Sequence, residues 1–167
     1  MKDLTKYIQG IPPRHWIMKA GAEAYEYYTS LSSSLPDNSL IADLGTYQGL
    51  SALALSYNEK VKVKSYDVTL ENNLVSKGNI EFIEADIFER IDEIIKADLI
   101  LVDLDPHDGI QEQRLLEILQ EKLYTGITVW DDINKNLGMQ NFWDKVELEK
   151  EDCTDIGHYT GTGVIYL

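Results

Sequence analysis

The chain has 167 residues, 44% hydrophobic and 26% charged, enough for one domain with its own core and ordinary for a soluble globular protein. Fifteen basic against 29 acidic residues give a net charge of −14, a field that repels phosphate backbones and argues against DNA or RNA as a partner. No run reaches the roughly 18 apolar residues of a membrane span, no signal-peptide core opens the chain, and the lone Cys153 excludes an internal disulfide, so a cytoplasmic protein without a membrane partner is expected.

No repeat, low-complexity tract or linker divides residues 1–167, which read as a single domain. After Pro12-Pro13 an amphipathic helix is predicted over 13–31, where Trp16, Ala20, Ala24, Tyr27 and Leu31 recur at intervals of three and four. That aromatic face must pack on the sheet or on a second copy of the chain, so a homodimer stays open. SSSLPDN then breaks the chain. From there strands and helices alternate: strand 39–45, helix 49–57, strand 61–67, a short helix near 70–76, strand 80–85, helix 87–96 and strand 97–104. Helix 109–121, strand 126–131, helix 138–144, strand 145–150 and strand 163–167 complete the series. Such alternation predicts an α/β fold, a Rossmann-like doubly wound sheet covered on both faces. ADLILVDL is apolar throughout, as a central parallel strand should be, whereas VKVKSYD, IEFIEAD and KVELEKE alternate and belong nearer the edges. The connection CTDIGHYTGT is too short for a helical crossover, so the last two strands should form an antiparallel hairpin closing a seven-stranded, mostly parallel sheet.

Ligands of a doubly wound sheet bind beyond the carboxyl ends of its strands. Five predicted strands end in acids: Asp43, Asp67, Asp86, then Asp103 with Asp105, then Asp131 with Asp132. After the first strand, Asp43-Leu44-Gly45-Thr46-Tyr47-Gln48-Gly49 sets a tight turn against a helix start, where backbone N–H groups face a ligand. Tyr47 stands where the dinucleotide fingerprint needs its second glycine. Asp67 follows Asp43 by 24 residues, near the offset at which a carboxylate accepts both hydroxyls of a ribose. D-x-G-x-x-x-G resembles motif I of the class I S-adenosylmethionine-dependent methyltransferases, and the resemblance extends over about 39–167. It implies S-adenosylmethionine as cofactor, held by Asp43, Gly45, Thr46, Tyr47, Gln48, Gly49 and Ser51 around the turn, with Gln48 and Ser51 near the methionine carboxylate. It further implies Asp67 at the ribose and Asp86 at the adenine amino group, with Val68, Ile87 and Asp103 also at the cofactor and Asp103 among the catalytic residues. Asp86 reads equally well as the cap of helix 87–96.

Asp103, Asp131 and Asp132 end neighbouring strands and should converge. Unpaired, three carboxylates would repel and raise one another's pKa, and a hard divalent cation such as Mg²⁺, Ca²⁺ or Mn²⁺ resolves that. The pattern is similar to the metal-dependent O-methyltransferases of the catechol and caffeoyl-CoA type, and to small sugar and antibiotic O-methyltransferases. Here Leu104 and Pro106 depart from the I-D-G-D-H of the latter, leaving Asp103 and Asp105 as competing ligands. Where catechol-type enzymes carry a lysine, this chain has Pro106; His107 is the substitute general base, with His158 second and His107 also a candidate ligand. The structural alternative is that these acids cap helices and form turns. The aromatic residues Tyr25, Tyr27, Tyr28, Trp130 and Trp143 read first as core. The functional expectation is metal-assisted O-methylation of a small polar acceptor such as a sugar. A non-catalytic nucleotide-binding module and a metal-dependent hydrolase are the alternatives.

Overall fold

The structure is a computed structural model and describes residues 4, 7, 19–71, 75 and 77–167. Helix α1 (Lys19–Ser34) leads into β1 (Leu40–Leu44), α2 (Leu50–Leu55), β2 (Lys62–Asp67) and β3 (Ile80–Glu84). A 3-10 turn (Ile87–Glu89), α3 (Ile91–Ile94), β4 (Leu99–Val102), α4 (Ile110–Glu121) and β5 (Ile127–Asp131) follow. The chain ends with α5 (Leu137–Lys145), β6 (Lys150–Asp152) and β7 (Thr162–Tyr166). The strands form one seven-stranded sheet in the order β3-β2-β1-β4-β5-β7-β6. β1 to β5 run parallel, and β7 lies antiparallel between β5 and β6. The order reverses between β1 and β4, which makes their carboxyl ends the switch point.

Side-chain alternation divides the core in two. Ile41, Leu99, Leu101 and Val129 face α1 and α2, with Ala24, Tyr28, Ala52 and Leu55. Ala42, Leu44, Ile100, Val102 and Trp130 face the other side, against Ile94, Leu115, Leu119, Phe142 and Trp143. β4 is apolar at every position because both its faces are covered; each of its four residues is at most 1% exposed, and burying each is worth on the order of 2 kcal/mol. VKVKSYD, expected near an edge, is one strand in, between β1 and β3.

The departures from the sequence reading have local causes. α1 continues to Ser34, three residues beyond the predicted end; Thr29, Ser30, Ser33 and Ser34 are accommodated in it with their hydroxyls turned back to carbonyls three or four residues earlier, and Pro36 then stops it. The predicted portion 13–18, with Trp16, lies outside the described residues. In the predicted helix near 70–76, residues 72–74 and 76 lie outside them too, while Glu71 and Val75 are not helical. Helix 87–96 is a 3-10 turn and a single α-turn, since its isoleucines are poor helix formers and Asp86 draws the start into a tighter turn. Strand 145–150 is displaced to Lys150–Asp152: Val146 and Leu148 alternate because they pack into the core, and α5 runs on to Lys145. No described helix is long and apolar enough to cross a membrane.

Packing at the switch point leaves no room for a side chain. Gly45 has φ +102, and a Cβ there would stand 1.8 Å from the carbonyl oxygen of Asp103. Gly45→Ala is therefore expected to destabilise the protein by at least about 3 kcal/mol, from steric overlap plus left-handed strain. Urea unfolding monitored through tryptophan fluorescence measures the shift.

Candidate active site

The turn after β1 is built on a buried polar chain. The Gly45 N–H donates to the Tyr66 carbonyl at 2.9 Å, and Gly49, at φ +78, begins α2. Beneath the turn Asp43 is wholly buried and accepts from the Ser65 hydroxyl at 2.5 Å. Ser65 has then spent its proton, so the Thr46 hydroxyl, 2.7 Å away, donates to Ser65. Burial pushes the Asp43 carboxyl up to about 7, against the opposing hydrogen bond from Ser65. Asp67, at the end of β2, accepts from the Tyr47 N–H at 3.1 Å and the Thr69 N–H at 3.3 Å, which orients its carboxylate beside the turn.

Two clefts open at the carboxyl ends of the strands and share Gly45, Tyr47, Asp103 and His107. The outer one, about 730 Å³, runs over β1 to β4 and collects Asp67, Val68, Asp86, Ile87 and Phe88. Val68 and Tyr47 are 68% and 59% exposed there, apolar surface offered to solvent. Arg114 of α4 stacks its guanidinium 3.8 Å from the Phe88 ring centre in the same cleft. Asp86 caps the 3-10 turn, accepting from the Phe88 N–H at 2.9 Å, and still lines the outer cleft. The inner cleft, about 450 Å³, lies between the turn (Thr46, Gln48, Ser51), α1 and the acids of β4 and β5. Of the residues expected at the cofactor, Asp43 and Gly49 line neither cleft: they support the turn from below and behind.

The acidic cluster is arranged differently from a single three-carboxylate nest. Asp103 and Asp132 group with His107, while Asp131 and Asp132 group with His158, each set having ligand atoms within 4.8 Å of one another. Successive strand residues point to opposite faces, and Asp132, at φ +62, turns back only enough to bridge the two sets. His107 Nδ1 lies 3.5 Å from Asp132 Oδ2 and 3.8 Å from Asp103 Oδ1, buried and without a hydrogen-bond partner among the described residues. Asp105, the competing acid, is exposed and reaches only the outer cleft. On its other side Asp132 takes the Lys135 ammonium at 2.7 Å, the Thr160 hydroxyl, and His158 Nδ1 at 3.3 Å; Asp131 Oδ1 lies 3.6 Å from the same His158 nitrogen.

The charges follow from this geometry. Burial, then the neighbouring Asp131 and Asp132, raise the Asp103 carboxyl well above its usual range. Burial lowers His107, which is neutral near pH 7. Burial also opposes charge on His158, but its hydrogen bonds to Asp131 and Asp132 outweigh that and raise it to about 10. Asp132, despite burial, is held well below the carboxylate range by His158, Lys135 and Thr160.

The chain matches no protein-family model and no curated protein in sequence. Among solved structures it superposes with a TM-score of 0.62 on a caffeoyl-CoA O-methyltransferase-like protein from Staphylococcus aureus, at 13% identity over 86% of this chain and 82% of that one. The fold is that of the class I S-adenosylmethionine-dependent methyltransferases. Precorrin-6y C5,15-methyltransferase from Geobacter metallireducens also gives 0.62, at 13% identity over 90% of this chain and 93% of that one. The N-methyltransferase NodS from Bradyrhizobium japonicum, in complex with S-adenosyl-L-homocysteine, gives 0.56 at 14% identity, with 97% and 94% covered. The methyltransferase fold thus accounts for the strand order, the antiparallel β7 and the position of the switch point.

Sequence reasoning pointed to helix 13–31 and the loops 132–138 and 152–162 as walls of the acceptor site but did not single out Lys135, Thr160 or Arg114, and it read the helix α1 tyrosines as core. The spacing Asp132-Ile133-Asn134-Lys135 carried a signal, since a loop lysine three residues after an acid can turn back to it. Because the folded pKa of His158 is raised above its ordinary 6.5, its stabilisation is complete below about pH 6.5 and fades as pH climbs through about 10. In EDTA, His158→Gln should therefore cost about 1–3 kcal/mol at pH 6, with the difference in thermal midpoint from wild type closing toward pH 10; scanning calorimetry across that range measures it.

Proposed function

We propose that this protein is an S-adenosylmethionine-dependent methyltransferase that methylates an oxygen of a small polar acceptor such as a sugar. One observation carries the reading: the outer and inner clefts meet at Asp103 and Gly45. Adenosine would occupy the outer cleft, with its ribose hydroxyls on Asp67 and its base along Val68, Ile87 and Asp86. The methionine end would lie at the turn with Gln48 and Ser51. The sulfonium methyl then points past Asp103 into the inner cleft, where the acceptor sits. An acceptor oxygen attacks the methyl carbon in line, the carbon–sulfur bond breaks with its electron pair passing to sulfur, and the acceptor proton leaves to a neighbouring base. A hydrolytic site would need the acids but would leave the apolar surface of the outer cleft, Val68, Ile87 and Phe88, without a role.

A divalent cation fits the inner cleft through Asp103, Asp132 and His107. Two carboxylates flank a buried imidazole nitrogen that lacks a partner, and the nitrogen donor favours Mn²⁺ or a later transition metal over Mg²⁺. Such an ion would supply Lewis-acid lowering of the acceptor hydroxyl pKa. His107, neutral and facing carboxylates, serves better as a ligand than as a base. His158 is held charged by its two acids and works as a fixed cation rather than a proton acceptor. The bond from Lys135 to Asp132 favours a second, metal-free reading in which Lys135 supplies the positive charge and Asp103, with its raised pKa, takes the proton.

Calorimetric titration with S-adenosylmethionine and S-adenosylhomocysteine, in EDTA and then in Mn²⁺ or Mg²⁺, tests both. One-to-one binding is expected, weakened about ten- to a hundredfold by Asp67→Ala. Absence of binding in every condition sinks the proposal. Turnover that survives EDTA selects the lysine reading; turnover restored only by added metal and lost in Asp132→Asn selects the metal reading.

A further inference from the structure

The inner cleft has a roof that the sheet does not supply. Helix α1 lies over it and contributes Ala24, Tyr25 and Tyr28. Tyr28 is 2% exposed, its ring 6.4 Å from that of Tyr25 and 6.3 Å from that of Tyr27, and it packs with Ile41, Leu101 and Val129. Its hydroxyl, fully buried, has no hydrogen-bond partner among the described residues. Buried tyrosine hydroxyls ordinarily have one, because leaving such a group unpaired shifts an equilibrium by about ten- to a hundredfold. A phenylalanine would fill the same space without that penalty. Tyr28 lines the cleft together with Asp103 and Asp131, and the charges of those two acids bear on its hydroxyl most among its neighbours. Burial keeps it protonated, and so a donor, at every physiological pH.

We infer that Tyr28 selects the acceptor: its hydroxyl donates a hydrogen bond to a second oxygen or nitrogen of the molecule being methylated. The site then takes small acceptors with two polar groups, one at Asp103 where the clefts meet and one under α1, and discriminates against molecules carrying only the first. This rests on the acceptor site proposed above. The cleft of about 450 Å³ also holds Gly45, Thr46, Gln48 and Ser51, so the acceptor shares it with the methionine end of the cofactor and is small, on the scale of one substituted ring. A site built to pair a ligand hydroxyl rejects the analogue that lacks it far more strongly than an apolar pocket rejects a missing methylene.

The test uses two probe series, chosen so that the separation of the polar groups varies. Catechol, resorcinol and hydroquinone are compared with phenol, and the 1,2-, 1,3- and 1,4-cyclohexanediols with cyclohexanol, by ligand-observed NMR titration. Wild type and Tyr28→Phe are each titrated with and without S-adenosylhomocysteine. At least one diol should bind wild type about ten- to a hundredfold more tightly than its mono-ol, and the preferred isomer reports the span from Asp103 to Tyr28. Tyr28→Phe should erase that preference while leaving mono-ol affinity, S-adenosylhomocysteine affinity and thermal stability unchanged or slightly improved. The inference is overturned if no diol in either series is preferred by wild type, or if the preference survives in Tyr28→Phe. Failure of S-adenosylhomocysteine to bind would instead sink the methyltransferase reading, and the titrations without it still decide the role of Tyr28.

Discussion

Where β1 and β4 end side by side, the two backbones come so close that only a hydrogen atom fits on the Gly45 α-carbon facing Asp103. The register that pairs Leu44 with Val102 delivers the next residue of each strand to this point, one as the start of the glycine turn and the other as the first acid of the cluster. The separation between the turn amides and the Asp103 carboxylate is thus set by main-chain packing, which cannot flex by rotamer choice. Both clefts inherit their common wall from this contact. β4, apolar on both faces, is buried between the two halves of the core beside it.

Charge balance around Asp132 is the second constraint. Three carboxylates stand near one another, and the protein brings its own cations, Lys135 and the protonated His158, against the one that bridges the two sets. That arrangement leaves Asp131 and Asp132 largely compensated while Asp103 keeps a raised pKa. The asymmetry matters chemically: Asp103, beside the glycine turn, is shifted toward its protonated form, whereas Asp132, farther in, is held ionised.

Much of this was readable in the sequence, for identifiable reasons. Strand ends were legible because apolar runs stop at acids, and the sheet follows from the rhythm of alternation and the short connection before β7. The inner pair of acids was placed at the end of β5, but the division of the three carboxylates into two sets bridged by Asp132 was not, because it depends on the left-handed turn at Asp132. The displacement of β6 escaped because Val146 and Leu148 carry a strand-like rhythm while packing against the core from an irregular segment. Lys135 and Thr160 come from loops that meet only in three dimensions, through backbone bonds from Ile133 and Asn134 to Gly161 and Thr160. The roof residues of α1 read as core from periodicity, and Tyr28 is indeed core by packing; only the unpaired hydroxyl separates it from its neighbours.

Asp43 lies beneath the turn with a carboxyl that titrates near neutrality, touching neither cleft. A positively charged guest above the turn favours the ionised form, so occupation of the site expels a fraction of a proton into the medium. The apparent enthalpy of association therefore contains a contribution from whatever base in solution takes up that proton, and differs between phosphate and Tris at the same pH. The size of that difference counts the protons released by every group that responds, Asp43 among them although it lines neither cleft.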